Sequence, residues 1–313
     1  MKKVFKTLFL VAMTFGAINT GFAAESAGQA GAYLKMGVGA RALGMGSAFT
    51  AVADDSTASF WNPAGLAKLN RDQGSFMHAN LTLDREYNFF NYAHVLKDKN
   101  GKRKGVAAIS HIRFGVDGIP ETRVDNTGNP VMTDDGKHVK IFSYFEDSEK
   151  NTYASYAKSF GDKFHAGLNV KYLKQELFDK RADSWGMDFG LMYDYNKKTT
   201  LGLSVRDLGE KLEWDTDSKA KDKVPVTTTF GLAHRCNDKL TVAADFNKVE
   251  DMDLKVFAGA EYWIQDFAAL RVGSHDGDLT LGASFKRDAW RFDYSFADEE
   301  LGDAHRISAS KAF

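Results

Sequence analysis

The sequence has 313 residues, of which 41 are basic and 42 are acidic, giving a formal net charge of −1. Because the charges balance, no overall positive field attracts nucleic acid, and we expect no nucleic-acid partner. Cys236 is the only cysteine, which excludes an internal disulfide and a disulfide scaffold. The mean hydropathy of −0.37 is usual for soluble proteins, but outer-membrane β-barrels also have it, because their strands alternate apolar and polar residues.

The N-terminus has the pattern of a secretory signal peptide. Lysines at positions 2, 3 and 6 precede an apolar run over residues 8–17, and small residues at Gly21 and Ala23 then fit a cleavage site. We predict a signal peptide over residues 1–23, with cleavage after Ala24 as the alternative. An uncleaved anchor would need about 20 apolar residues, and this run is shorter.

Residues 24–72 form a segment rich in glycine and alanine that shows almost no strand pattern. It contains the pair Asp54-Asp55 and the string Trp61-Asn62-Pro63-Ala64. Gly37–Ala42 matches the dinucleotide fingerprint by letter, but the strand and helix which that motif requires are missing. Gly44–Ala48 does not have the spacing of a nucleophile elbow. We therefore interpret the glycines as positions of close backbone packing inside a crowded interior.

Beyond residue 70 the chain is a series of runs with period-2 alternation, each about ten residues long, which indicates β-strands with one apolar and one polar face. In the run 187–195, for example, Met187, Phe189 and Leu191 alternate with Asp188 and Gly190. Fourteen strands are predicted, at residues 74–83, 87–96, 103–114, 151–160, 163–177, 184–195, 199–207, 224–236, 239–247, 253–264, 267–275, 279–287, 290–297 and 304–313.

The predicted connections differ between the two ends of the strands. Those after the fourth, sixth, eighth, tenth and twelfth strands are tight, whereas several after odd-numbered strands are long and charged, including 115–150 and 209–223. The short connection at 84–86 is an exception. This asymmetry is typical of transmembrane β-barrels, with periplasmic turns and extracellular loops. The fold class predicted is all-β: a 14-stranded antiparallel transmembrane barrel.

A soluble, secreted β-sandwich would also show alternation. Its strands would be about five or six residues long, whereas nine or more residues are needed to cross a membrane at a tilt. The chain also ends on Phe313, in a strand with Ile307 and Ala309 on the same face, and a terminal aromatic is the usual mark for barrel-assembly machinery. Lys311 lies on that face too and weakens the mark. The membrane barrel is the favoured interpretation, and assembly machinery is an expected partner.

No catalytic constellation stands out, so we expect no enzyme activity and no cofactor. The eight histidines are scattered without a metal-ligand spacing, which indicates no metal site. Seven charged residues are predicted to face inward and to form a mutually paired lining that meets the N-terminal segment. They are Lys171, Asp188, Asp245, Glu261, Arg291, Asp293 and Arg306.

The stretch from Gly39 to Asp55, followed by Ala58, Trp61 and Asn62-Pro63-Ala64-Gly65-Leu66, resembles the N-terminal region of the PorV/PorQ branch of the FadL-like outer-membrane proteins. The resemblance implies an N-terminal lumenal hatch over residues 24–72 and an outer-membrane barrel over residues 73–313. It also implies that the protein transports hydrophobic small molecules, such as long-chain fatty acids, past the hatch and across the outer membrane.

In FadL-type transporters the substrate leaves through a lateral opening at a kink in the third strand, beside an Asn-Pro-Ala motif. Carried over, the resemblance implies a hatch and lateral-gate motif, with Gly105 and Gly115 in the third-strand wall and outer-membrane lipid as a partner. The motif residues are Asn62, Pro63, Ala64, Trp61, Asp54 and Asp55. This chain is shorter than typical FadL transporters and lacks much of their extracellular loop mass.

The PorV side of the branch implies an alternative function. There the barrel is a component of type IX secretion and binds exported cargo proteins at the cell surface. The only candidate for a long, structured extracellular loop is Gly115–Lys150, which contains Asp134-Asp135 and the aromatic stretch 142–145. Both functions stay open on the sequence alone.

Overall fold

The computed structural model describes residues 29–298 and 302–313. The predicted signal peptide of residues 1–23 and the first residues of the predicted hatch lie outside the described residues. The described strands are β1 (Gln73–Leu81), β2 (Arg85–Lys97), β3 (Arg103–Thr122), β4 (Ile141–Phe160), β5 (Phe164–Leu177), β6 (Lys180–Asp194), β7 (Thr199–Leu208), β8 (Lys211–Trp214), β9 (Lys221–Lys223), β10 (Thr227–Arg235), β11 (Leu240–Val249), β12 (Leu254–Gln265), β13 (Ala268–His275), β14 (Asp278–Arg287), β15 (Trp290–Ala297) and β16 (Ala304–Ala312).

Fourteen of these strands close into an antiparallel barrel, because each pairs with its neighbours in chain order, β7 pairs with β10, and β1 pairs with β16. The closing ladder runs from Gln73 opposite Ala312 to Asn80 opposite His305. A closed ladder leaves no exposed strand edge. β8 and β9 form a short hairpin outside the ring, attached to β6.

The predicted fold class is confirmed, and every predicted strand coincides with a barrel strand to within a few residues, apart from β3 and β4. The predicted loop 115–150 was too long, because β3 and β4 stay paired above the barrel, with Ile119 opposite Phe145. β8 and β9 likewise lie within the predicted loop 209–223. Residues 141–144 are all exposed, so this part of the hairpin has no buried face and no alternation to reveal it.

The two long connections, 123–140 and 209–226, lie at the same end of the barrel, which we call the loop end. The opposite end, the turn end, carries six connections of two to five residues. The loop-end connections after β5 and β13 are also only two residues long, so the predicted asymmetry rests on a few long loops.

The apolar side chains of the barrel point outward. On β6, Trp185, Met187 and Phe189 are 65%, 46% and 52% exposed, whereas Asp188 between them is buried. The same inversion occurs on β15, where Phe292 is exposed and Asp293 is buried. A soluble sandwich would bury the aromatic face, so this belt of exposed apolar residues is the signature of a membrane-facing surface.

Residues 29–72, the described chain before β1, contain short helical elements. They are a 3₁₀ turn at Ala32–Lys35, α1 (Ala40–Leu43), α2 (Ala58–Trp61) and a second 3₁₀ turn at Pro63–Lys68. The second turn begins where Pro63 supplies a helical φ, and the side chain of Asn62 accepts a hydrogen bond from the Ala64 amide. Within the described ranges, no helix is long and apolar enough to cross a membrane.

Candidate functional site

Residues 29–72, which we call the hatch, occupy the interior of the barrel. Val38, Phe49 and Leu66 have no solvent exposure. Backbone amides of the hatch donate hydrogen bonds to inward-facing side chains: Ala40 N to Ser308 Oγ at 2.8 Å on β16, and Phe49 N and Thr50 N to Asp245 Oδ2 at 3.0 and 2.9 Å on β11. Backbone amides of the hatch therefore satisfy part of the polar lining of the barrel.

Glycines on the inner wall let the hatch backbone lie directly against the strands. A Cβ added at any of them would lie between 2.1 and 3.1 Å from a hatch atom. Carbon and backbone atoms cannot approach so closely, so these positions exclude every larger residue while the hatch is in place. This glycine belt consists of Gly167 on β5, Gly190 on β6, Gly202 on β7, Gly231 on β10, Gly259 on β12, Gly273 on β13 and Gly282 on β14.

The Asn62-Pro63-Ala64 motif lies against β5 and β6. A Cβ at Gly190 would lie 2.1 Å from Asn62 Oδ1, and one at Gly167 would lie 2.3 Å from the carbonyl carbon of Pro63. Asn62 Nδ2 donates to Thr50 O at 2.9 Å and to Leu191 O on β6 at 3.1 Å. The side chain is fully buried, so it ties the hatch both to itself and to the wall.

The resemblance implied a position of this motif opposite the third strand. Asn62 and Pro63 contact β5 and β6 instead, and the 3₁₀ turn that follows reaches the start of β3, where Arg103 donates to Ala67 O at 2.5 Å. β3 is paired to both neighbours from Val106 to Val116, so the described wall is closed there. An added Cβ at Gly105 would meet atoms of β4, and one at Gly115 would meet only Asp147 O at 3.7 Å. Two hatch residues reach the middle of β3: Ser59 accepts a hydrogen bond from Ser110 Oγ at 2.9 Å, and the ring of Tyr33 stacks on Phe114.

The irregularities of β3 lie near its two ends, at Leu96/Lys97 opposite its start and between Val116 and Ile119. The Asn-Pro-Ala motif reaches β5 and β6 because the preceding hatch residues follow the inner wall past most of the other strands. Gly44 lies at β14, Met45 and Gly46 at β12 and β13, and Thr50 at β10 and β7.

Trp61 belongs to the inside of the hatch. Its Nε1 donates to Val38 O at 2.9 Å, and its ring packs edge-on against Phe60 and Phe49. The indole therefore closes the hatch on itself, joining residues that are 23 positions apart in the chain. This contact makes Trp61 a stabilising residue of the hatch fold.

Arg41 is the centre of a buried ion-pair network that joins the hatch to the barrel. Its guanidinium makes a two-pronged contact with Glu261 on β12, at 2.8 and 2.9 Å. It also binds Asp54 at 2.5 Å and Asp55 at 3.0 Å. Asp55 binds Arg291 on β15 at 2.8 Å, so an acidic residue of the hatch pairs with an inward-facing arginine of the wall.

Asp55 stays charged in this network. Burial by itself would raise the pKa of its carboxyl, but Arg291 and Arg41 outweigh that effect and hold the pKa below its ordinary value of 3.8. Asp54 is less buried than Asp55, because its side chain is 46% exposed. Asp55 therefore carries the link between hatch and wall, while Asp54 adds a partly solvated contact to Arg41.

A second charged cluster surrounds Lys171 on β5. Its ammonium lies 2.8, 2.5 and 2.7 Å from carboxylate oxygens of Asp188, Asp207 and Glu210. These three carboxylates could in principle hold a metal ion, because their oxygens lie within 4.8 Å of one another. The ammonium already occupies the position among them. The sequence predicted Lys171 and Asp188 as inward charges, but Asp207, the last residue of a predicted strand, and Glu210, in the predicted loop that follows, were missed.

An apolar cavity of about 390 Å³ opens at the loop end of the barrel. Phe145 and Phe178 pack edge-on across it, with ring centroids 5.4 Å apart. Leu177 and Trp214 extend the apolar lining, and the remaining residues of its rim are charged. The sequence did not predict this cavity, because its lining comes from β4, the β5–β6 turn and the short β8 hairpin, which only tertiary structure brings together.

The closed barrel, its apolar belt and its filled lumen define the chain as a plugged membrane-spanning β-barrel. No known protein family matches the sequence, and no curated protein sequence matches it either. Solved structures do share its fold. The toluene transporter TodX of Pseudomonas putida is 15% identical, with a TM-score of 0.57 over 88% of this chain and 99% of that chain.

Two further solved structures give the same result. A TodX deltaS2S3 mutant, a monoaromatic hydrocarbon channel, has a TM-score of 0.61 at 15% identity over 88% of this chain and 99% of that chain. A Pseudomonas aeruginosa FadL homologue has a TM-score of 0.58 at 12% identity over 86% and 96%. The FadL-like fold is thus established. The PorV/PorQ branch stays a prediction.

Proposed function

We propose that this protein is an outer-membrane transporter for hydrophobic small molecules. The observation that carries the proposal is the aromatic cavity at the loop end, which lies at the mouth of a barrel whose lumen is filled. A cavity lined by Phe145, Phe178, Leu177 and Trp214 favours an apolar ligand, because such a ligand gains about 25 cal/mol for each Å² of apolar surface removed from water.

The filled lumen supports the same proposal. A general porin needs a water-filled channel, whereas here hatch backbone lies against seven strands through the glycine belt. Passage therefore requires movement of the hatch, which suits a ligand that is captured first and released later. The known hydrocarbon channels that share the fold support this class of substrate, and the chemical identity of the substrate is left to experiment.

The orientation follows from the connections. Transmembrane barrels have short periplasmic turns and longer extracellular loops, so the loop end is assigned to the cell exterior and the turn end to the periplasm. The aromatic cavity then faces the side from which a nutrient arrives. Residues 1–23, as a signal peptide, would direct export to the outer membrane.

The test is uptake of a fluorescent fatty acid and of toluene by cells that express the protein. Phe178→Asp places a charge in the cavity, and we expect it to lower uptake of both. Phe142→Asp is the matched control, because Phe142 is exposed on the β3–β4 hairpin and does not line the cavity. Equal uptake by the Phe178 variant and wild type, at equal amounts of assembled barrel, would contradict the proposal.

A second candidate function is the binding of exported cargo proteins, as in PorV-like secretion components. One observation favours it: the chain between the ends of β3 and β4 is structured, with bridges between Val124 and Pro130 and between Met132 and Val139. Several of its apolar side chains are exposed, among them Val124 at 66% and Tyr144 at 66%. Loss of secretion in a Tyr144→Asp variant with normal uptake would favour this function instead.

A further inference from the structure

The outer wall of the barrel carries a second apolar cavity, a groove of about 350 Å³ across β10 to β14. No hatch residue lines it, so it opens on the outside of the wall. Its floor is formed by Ala258 and Ala260, which lie on the outward face of β12, as their alternation with inward Gly259 shows, yet are only 4% and 3% exposed.

The groove follows two rows of ladder partners that run across the strands. One row is Leu232, Ala244, Ala258, Ser274 and Leu279. The other is His234, Val242, Ala260 and Val272. Five strands at a spacing of about 4.8 Å give the groove a length of about 19 Å. The groove also reaches Gly277, which lies in the loop-end connection after β13.

The groove exists because the wall is thin at this place. The outward residues on its floor are small, namely Ala244, Ala258, Ala260 and Ser274, and the inward residues Gly259 and Gly273 also contribute to its lining. The hatch lies directly behind, since a Cβ at Gly259 would be 2.2 Å from Met45 O. The inward glycines that let the hatch lie against the inner wall therefore lie directly behind the groove on the outer wall.

One end of the groove lies beside the turn end of the barrel. His234 is the last groove residue on β10, and the adjacent turns carry four exposed cations with Asp238 as the one acid in residues 195–198 and 235–239. The two turns lie next to each other, because Arg235 N donates to Lys198 O at 2.7 Å. The cations are Lys197, Lys198, Arg235 and Lys239.

We propose that this groove binds one acyl chain of an anionic phospholipid of the periplasmic leaflet, with the lipid phosphate at the cationic turns. The apolar lining fits a hydrocarbon chain, and the groove is continuous with the membrane-facing belt. Clusters of basic residues beside a membrane-spanning surface attract anionic head groups. The proposal is independent of what the barrel transports.

The test uses the full mature protein in nanodiscs of phosphatidylcholine that contain a small share of phosphatidylglycerol with a photoactivatable group at the end of one acyl chain. We expect crosslinks to concentrate on the residues that line the groove. Ala258→Leu fills the floor and should abolish these crosslinks. Ala154→Leu is the control, because Ala154 is an exposed alanine of the same belt, on β4.

Three outcomes would overturn the proposal. The first is labelling that does not depend on the groove. It would be seen as labelling spread evenly around the belt, or as equal labelling of wild type and Ala258→Leu when heat-modifiable gel migration shows that both are folded. The second is equal groove labelling by a photoactivatable phosphatidylcholine, which would remove the assignment of an anionic head group. The third is a disulfide between two copies at Cys236, two residues beyond His234, together with absence of lipid from the groove, because a second copy would then cover it.

Discussion

At the scale of single residues, the barrel and the hatch are joined by close approach and by charge. The glycines of the belt allow the close approach of the hatch backbone to the wall. Arg41 supplies the charge contact, because it holds Asp55 and Glu261 in one network. Neither kind of contact is generic. A methyl group cannot be added at the glycines of the belt. Removal of Arg41 from the ion-pair network leaves buried carboxylates without their cation.

Gly190→Ala should displace the hatch. Its Cβ would lie 2.1 Å from Asn62 Oδ1, and overpacking of this kind costs about 1–3 kcal/mol. We expect faster cleavage of the hatch by trypsin added to both sides of the membrane. Gly115→Ala is the matched control, because its Cβ would meet only Asp147 O at an ordinary 3.7 Å. Equal cleavage of both variants would show that the belt does not hold the hatch.

Arg41→Ala should destabilise the docked hatch by about 3–5 kcal/mol, because it removes one partner from a buried ionic network. The expected result is a rise in single-channel conductance in planar bilayers. Arg123→Ala serves as the control, since Arg123 forms an exposed ion pair with Glu121 near the loop end. A conductance equal to wild type in the Arg41 variant would contradict the role of the network.

The Asp55 carboxyl gives this network a defined pH dependence. Its pKa is lowered on folding, so its contribution to hatch stability is fully present above the ordinary value of 3.8 and is lost as the pH falls through the lowered pKa. We expect the part of hatch stability that Asp55 supplies, with conductance as the readout, to stay constant from about pH 8 to about pH 5 and to fall only in stronger acid. A rise in conductance that begins near neutral pH would point to another group.

At the scale of elements, the hatch winds around the inner wall and ends in a 3₁₀ turn against β5 and β6. The Asn-Pro-Ala motif fixes that last contact. β3, by contrast, is held by continuous pairing with β2 and β4 through its middle. A lateral opening of the described wall would therefore require the Asn-Pro-Ala motif to separate from β5 and β6.

Replacement of Asn62 and Pro63 by alanine should loosen the hatch and leave the barrel assembled. The variant loses the hydrogen bonds from Asn62 Nδ2 to Thr50 O and Leu191 O, and each buried carbonyl left unpaired costs about 1–3 kcal/mol. Altered uptake of a fluorescent fatty acid is the expected readout. Normal uptake with a normal amount of barrel would separate the motif from transport.

At the scale of the whole molecule, the closed ladder of 14 strands supplies the stability, because each barrel strand is paired on both sides. We expect the protein to fractionate with outer membranes and to show heat-modifiable migration on gels. Deletion of residues 29–69 should keep that migration and raise leakage of small polar solutes from liposomes. Recovery of the wild type as a soluble periplasmic protein would end the membrane-barrel interpretation.

The sequence by itself determined the barrel. Alternation such as Met187, Asp188 and Phe189 places each residue inside or outside, since the side-chain period of a strand is two, and the closed ring follows from the number of such strands. It also located inward charges that are paired, among them Lys171, and two of them, Glu261 and Arg291, pair with the hatch. These are properties of neighbouring residues, which a linear pattern records.

Tertiary structure alone decided which wall the hatch touches. The Asn-Pro-Ala motif lies at β5 and β6, whereas the resemblance implied a position opposite β3, because the hatch path depends on where seven glycines from distant strands line up around the lumen. The aromatic cavity and the outer groove have the same origin. Phe145 and Trp214 line one cavity, and Leu232 and Leu279 line one groove, only when distant strands assemble into the sheet. Contacts between residues far apart in the chain leave no periodic trace in it.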